Sequence, residues 1–232
     1  MISPAASVPT GREPTDRLLR TVDLFGSGGR LEAIVNEGAP DAAFSVLVCH
    51  PHPLGGGTLH NKVVYHAMKV FNAADWGFGY PVLRFNFRGV GLSEGVHHGS
   101  EELGDVLAAI NFLENEYALP ILVAGFSFGA AMALEACTQT GADVRAIAAL
   151  GLPTHAEGRS YGYSFLAEMR KSKLFLSGDQ DQFAPRAELE TIVRKASEPK
   201  RMVLVPGADH FFAGRLSQMQ NALAGWLKEQ VL

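Results

Sequence analysis

Cysteine is scarce in this chain: only Cys49 and Cys137 occur among 232 residues. Both lie in apolar stretches and their separation matches no metal-type spacing, which argues against a disulfide scaffold and fits core thiols in a reducing compartment. Runs of basic charge are missing as well. No stretch holds more than two consecutive Lys or Arg and the formal net charge is -4, so the electrostatic footprint of a nucleic-acid binder is not there. Nor does any segment approach the roughly 18 uninterrupted apolar residues of a membrane span. The opening stretch, MISPAASVPTGREPTDR, has neither the basic leader nor the apolar core of a secretory signal. These absences predict a cytoplasmic protein with no nucleic-acid and no membrane partner.

What is present is core material: 47% of the residues are hydrophobic and 19% charged, far from the composition of a disordered chain. The length suits a single α/β domain. Residues 1–17, with Pro, Ser and Thr and no periodicity, read as a flexible N-terminal arm, and residues 18–232 as the folded domain. The runs Leu18 to Phe25 and Arg30 to Asn36, joined through Gly26 to Gly29, predict an antiparallel hairpin at a sheet edge. Beyond them, short runs of Val, Ile, Leu and Phe alternate with longer helical periods, the pattern of parallel strands covered on both faces. The strands expected are Phe44 to Cys49, Tyr80 to Phe87, Ile121 to Gly125, Val144 to Gly151, Lys173 to Ser177 and Arg201 to Val205. The helices expected are Asn61 to Trp76, Glu101 to Tyr117, Gly129 to Thr138, Pro185 to Ala196 and Gly214 to Val231. The fold class is α/β.

The segment Gly125-Phe126-Ser127-Phe128-Gly129 fits G-x-S-x-G between a predicted strand and a helix of small residues. In that context the glycines relieve a crowded strand-to-helix turn that holds the Ser127 hydroxyl above the sheet. A serine hydroxyl is a weak nucleophile unless a base takes its proton, so a later His and an acid ahead of it are required. His210, in the turn-rich Pro206-Gly207-Ala208-Asp209-His210-Phe211-Phe212, stands where the order Ser, acid, His puts the base. For the acid, two carboxylates compete in Gly178-Asp179-Gln180-Asp181: a G-x-x-D turn selects Asp181, and Asp179 is the alternative. Asp209 adjoins His210, and neighbouring side chains diverge, so it reads as a loop cap.

An oxyanion hole needs the Phe128 amide and a second one from the loop His50-Pro51-His52-Pro53-Leu54-Gly55-Gly56-Gly57. Pro51 and Pro53 have no N–H to give. His52 is preferred and Leu54 is the second choice. Leu54, Phe183 and Phe211 are candidates for the substrate-binding wall; Phe128 and Phe212 are open between wall and core, and Phe126 packs inward. His50 and His52 form an H-x-H pair, but no nearby acidic run completes a ligand set, so His50 reads as a brace for the loop and a metal site is not expected. The stretch Arg88 to Gly95 lacks the Lys-Ser/Thr ending of a phosphate loop and reads as a wall of the pocket, with Arg88 in an ion pair.

The whole series, CHPHPLGGG with Asn61-Lys62-Val63-Val64, then Arg84-Phe85-Asn86-Phe87-Arg88-Gly89-Val90-Gly91-Leu92-Ser93-Glu94-Gly95, then GFSFG and ADHFF, resembles a bacterial group of small α/β-hydrolases related to dienelactone hydrolases and serine aminopeptidase-type hydrolases. The likeness runs from Leu18 to the C-terminus. It implies a mostly parallel central sheet flanked by helices, with Ser127, Asp181 and His210 as triad and no cofactor. Between Gly151 and Lys173, where many such hydrolases carry a cap domain, there is room only for one short helix, around Ser164 to Met169. Dienelactone hydrolases proper carry a Cys nucleophile where this chain has Ser127, so their substrate is not implied. The activity expected is hydrolysis of short-chain or accessible carboxylic esters through an acyl-enzyme, the partner being a small-molecule ester. Thioester or amide hydrolysis and a silent ligand-binding scaffold are the competing readings, and homodimer assembly is left open.

Overall fold

The computed structural model describes residues 18–156 and 159–230, so the N-terminal arm expected from the sequence and the last predicted helical residue, Val231, lie outside the described residues. A hairpin of β1 (Leu19–Gly26) and β2 (Gly29–Asn36) opens the fold, paired antiparallel in the register Leu24 with Leu31. Next come β3 (Ser45–Cys49), α1 (Lys62–Asn72), β4 (Val82–Phe85), α2 (Glu102–Tyr117), β5 (Ile121–Phe126), α3 (Phe128–Gln139) and β6 (Val144–Leu150). A two-residue hairpin of β7 (His155–Ala156) and β8 (Arg159–Ser160) follows, then β9 (Ser172–Gly178), α4 (Arg186–Lys195), β10 (Lys200–Val205) and α5 (Leu216–Gln230). Eight of the strands form one sheet in the order β1-β2-β4-β3-β5-β6-β9-β10. β2 pairs antiparallel with both neighbours and every other pair beyond it is parallel.

The central strands are apolar on both faces because helices cover both. Leu47 and Cys49 of β3 and Val123 of β5 point into the core under α2, α3 and α4. Val46 and Val48, with Leu122, Ala124 and Phe126, point into the opposite core under α1 and α5. Both cysteines are buried, and burial pushes their thiols up, that of Cys137 to about 12. Among the described residues no helix is long and apolar enough to cross a membrane.

Chain order places the site. From β3 the chain steps outward to β4, then returns across β3 to β5 and continues the other way to β6. In open parallel sheets, ligands bind at the carboxyl ends of the strands where the winding reverses. Here that point lies between β3 and β5, whose ends run level, Cys49 opposite Gly125. The connection between β6 and β9 holds only the β7–β8 hairpin and a turn of 3-10 helix at Ser164–Ala167. There is no cap domain among the described residues. The helix expected at Ser164 to Met169 is thus a shorter 3-10 turn, and the hairpin was not foreseen.

Candidate active site

Ser127 sits between the last residue of β5 and the first of α3 with φ 55° and ψ -121°, a backbone state that costs a non-glycine residue about 1–3 kcal/mol. Its neighbours make room for it. A Cβ on Gly125 would lie 2.4 Å from the Gly129 carbonyl oxygen, and one on Gly129 would lie 2.4 Å from that of His50. Both contacts are with backbone, which cannot swing away, so G-x-S-x-G is a steric requirement of this turn.

His210 lies on the loop between β10 and α5, buried to 2% exposure. Its Nε2 is 2.9 Å from Ser127 Oγ, and its Nδ1 is 2.9 Å from both carboxylate oxygens of Asp181. An ionised carboxylate only accepts, so Nδ1 carries the hydrogen and Nε2 is left to accept from the serine hydroxyl. Three rings hold the imidazole: Phe126, Phe183 and Phe211, with centroids 4.9, 4.7 and 5.2 Å away. Gly151, at φ 54°, leaves space beside it; a Cβ there would be 3.2 Å from His210 Cε1.

Asp181 is buried yet well supplied with donors. It accepts from Ser177 Oγ at 2.9 Å, from Phe183 N at 2.9 Å and from Ala184 N at 3.2 Å. Burial alone would push its carboxyl up; the His210 hydrogen bond and charge, with Ser177 and the Phe183 amide, outweigh that and hold it below the ordinary carboxylate range. Asp179 turns the other way and accepts the Gly207 N–H at 2.8 Å, tying the loops after β9 and β10 together. Asp209 accepts the Ala213 N–H at 2.9 Å, the cap expected of it.

Level pairing of β3 with β5 sets the loop of His50 to Gly57 beside the start of α3. His50 braces that loop: Nδ1–H donates to Pro51 O at 2.6 Å and Nε2 accepts the Phe87 N–H at 2.9 Å. Burial lowers its pKa to about 4, so the ring is neutral at pH 7. The His52 ring packs 5.0 Å from that of Phe128. The Leu54 amide donates to His52 Nδ1 at 3.2 Å, which engages it inside its own turn. Among the described residues, no three His, Cys, Asp or Glu gather as a metal-holding group.

Ser127 and His210 open onto a cavity of about 470 Å³ whose other walls include Pro51, His52, Leu54, Asn61, Pro153, Tyr161, Phe183 and Phe211. All three residues expected in the substrate wall are there, while Phe128 and Phe212 are fully buried in the core. A larger hollow of about 580 Å³ beside Cys137 and Lys171 lies at the far end of α3 from Ser127 and holds none of this chemistry. One expectation is corrected. The Arg88 to Gly95 stretch does not line the cavity but packs on the β1–β2 hairpin: Glu94 accepts the Arg30 N–H at 2.7 Å and Ser93 Oγ the Glu32 N–H at 2.9 Å. Arg88 is in the ion pair expected, with the buried Asp105 at 2.7 Å and Glu101 at 2.6 Å. Asn61, Pro153 and Tyr161 were missed as wall residues. Asn61 carries one readable signal, an N-cap before an apolar helical run; Pro153 and Tyr161 carry none.

Residues 55–226 match the alpha/beta hydrolase domain family. An uncharacterised protein of Rickettsia prowazekii is 33% identical over 210 residues, covering 87% of this chain and 86% of that protein. Among solved structures, an alpha-beta serine hydrolase homologue from Coxiella burnetii superposes with a TM-score of 0.79 at 32% identity, covering 90% of this chain and 97% of that one. A serine hydrolase without lid from Xanthomonas campestris has a TM-score of 0.76 at 27% identity, covering 94% and 97%. With the sheet order, the strained serine turn and this family match in agreement, the chain belongs to the α/β-hydrolase domain family.

Proposed function

We propose that the protein is a serine carboxylesterase that cleaves short or accessible esters. The observation that carries this reading is the buried row Asp181–His210–Ser127, ending with the serine hydroxyl in an open, largely apolar cavity. In the reaction, Ser127 Oγ attacks the ester carbonyl while His210 Nε2 takes its proton, and the carbonyl oxygen becomes an anion. The Phe128 and His52 amides are the donors assigned to that oxygen, with the positive end of α3 behind Phe128. His210 then protonates the departing alcohol, which leaves the acyl group on Ser127. Water, deprotonated by the same nitrogen, attacks the acyl-enzyme; the acid departs and Ser127 regains its proton. Asp181 keeps the hydrogen on Nδ1 and stabilises the imidazolium formed in each half.

The cavity volume of about 470 Å³ is ample for a small ester and sits within the usual 300–1,000 Å³ of ligand pockets. Leu54, Phe183 and Phe211 give the acyl chain apolar contact. With no cap domain among the described residues to enclose a long chain, extra methylenes end in solvent and add little. The test is hydrolysis of p-nitrophenyl esters from acetate to palmitate by the wild type and by Ser127→Ala. The expected result is turnover greatest at short chains and reduced at least about 10³-fold in the variant. Undiminished turnover in Ser127→Ala, or rates that climb steadily beyond about ten carbons, would overturn the reading.

A further inference from the structure

A second hollow of about 410 Å³ adjoins the catalytic cavity, and the two share Asn61 and Phe211 as walls. Its remaining surface is mostly apolar, from Val63, Ala213 and Leu216, with one charged side chain, Lys62. The polar equipment at this junction is one-sided. Asn61 Oδ1 accepts the Val63 N–H at 2.9 Å, so the group this wall residue has left to offer is its NH₂, a donor. Lys62 can only donate, and it makes no ion pair or hydrogen bond among the described residues. Among the described residues no Asp or Glu lines either hollow. Asp209, the nearest acid in the loop that carries Phe211, is engaged with the Ala213 N–H. A neutral or cationic group placed here would meet donors and no acceptor charge, whereas an anion would meet both an ammonium and an amide NH₂.

We propose that the preferred substrates are esters carrying a second, anionic group, a carboxylate in the simplest case, which passes Phe211 into this hollow and is held by Lys62 and the Asn61 NH₂. The inference rests on the hydrolase reading above and specifies its substrate class. Apolar walls on either side of Phe211 suit the short carbon chain between the two ends of a half-ester, while the ammonium provides selectivity that the apolar catalytic cavity lacks.

The experiment compares p-nitrophenyl hydrogen glutarate with p-nitrophenyl valerate, which has the same chain length and no charge, in the wild type, Lys62→Met and Lys62→Arg. The wild type is expected to favour the glutarate in kcat/KM. In Lys62→Met that preference falls about two- to fivefold, chiefly through KM, as loss of an exposed ion pair predicts; Lys62→Arg restores most of it. A wild-type preference of one or less, or the same preference in Lys62→Met, overturns the inference and leaves the esterase reading standing. If neither ester is cleaved, the esterase reading falls instead, and calorimetric titration of the wild type and Lys62→Met with monomethyl glutarate decides this one. Binding that weakens in the variant sustains it; no binding, or equal binding, overturns it.

Discussion

Asp179 and Asp181 stand two positions apart in one turn, and their surroundings give them different work. Asp181 faces the Nδ1 of His210 with its other lone pairs filled by Ser177, Phe183 and Ala184, so its charge is held in place before any reaction begins. Asp179 is spent on the Gly207 amide. Asparagine at 181 would present an NH₂ or a single acceptor to Nδ1 and lose control of the tautomer. For Asp181→Asn we therefore expect kcat on p-nitrophenyl acetate to fall about 10⁴-fold, the size of the effect that the same change has in serine proteases. Asn at 179 still offers an oxygen to Gly207, and Asp179→Asn should keep kcat within about twofold, as for other surface changes that preserve a contact. A comparable loss in both variants would mean that the turn as a whole, rather than one carboxylate, serves His210. The glycine pattern around Ser127 and the G-x-x-D turn made these residues readable from sequence, because each is a local steric demand. The wall residues Tyr161 and Pro153 were unreadable, because nothing local to them refers to Ser127, and only the packing of the β7–β8 segment brings them near it.

At the level of elements, the loop after β3 depends on a buried neutral imidazole. His50 has a pKa near 4 when folded, against 6.5 when free. Between those values the unfolded chain binds a proton that the folded one refuses, so stability rises with pH across roughly pH 4 to 6.5 and is fully gained above it. The gain is at most about 3.4 kcal/mol for a shift of this size. Asp181 acts in the same direction but lower, since its depressed carboxyl adds stability that is lost only below its ordinary range. Urea unfolding at intervals from pH 4.5 to 7.5 should show the slope in the wild type and a flatter curve in His50→Gln; parallel curves would remove His50 as its source. The Arg88–Asp105 pair is the other element-level device. Asp105 is fully buried and takes hydrogen bonds from the Arg88 backbone and guanidinium at 2.7 to 3.2 Å. It joins α2 to the loop after β4, while Arg88 reaches Ser27 in the hairpin. Asp105→Ala would leave the buried Arg88 guanidinium only the exposed Glu101 as ion-pair partner and should cost about 3 kcal/mol, the low end for breaking a buried pair. Because this loop does not line the cavity, the folded fraction should keep wild-type KM for p-nitrophenyl acetate, measured well below the lowered Tm. The sequence showed an ion pair for Arg88 but misassigned the loop to the pocket, since a glycine-rich turn looks alike whether it serves a ligand or a neighbouring hairpin.

Across the whole molecule, the order of elements was legible because the central parallel strands are apolar on both faces and most helices on one, α3 being buried nearly all round, a rule that leaves its period in the sequence. Relations between distant segments left no such mark. The hollow beside Lys62, for example, exists because α1 starts next to the loop that precedes α5, some 150 residues later, a juxtaposition created by the sheet order alone. The same order leaves the carboxyl ends of β3 and β5 uncovered, since β6 and β9 are joined by only a hairpin and a 3-10 turn. Enzymes that need an interface to open a lid show a step in rate when their substrate passes its solubility limit, because the closed and open states differ in exposed apolar surface. Among the described residues no element stands over the site to be moved aside. Its apolar cavity walls, Leu54 at 80% and Phe211 at 50% exposure, already face solvent. Hydrolysis of tributyrin should therefore follow one smooth saturation curve through the solubility limit, without a step, and the same curve should be obtained when the substrate is presented in detergent below and above micelle formation. A sharp rise at the interface would show that the segment between β6 and β9 rearranges to admit substrate, and the open site would then be one state of a gated one.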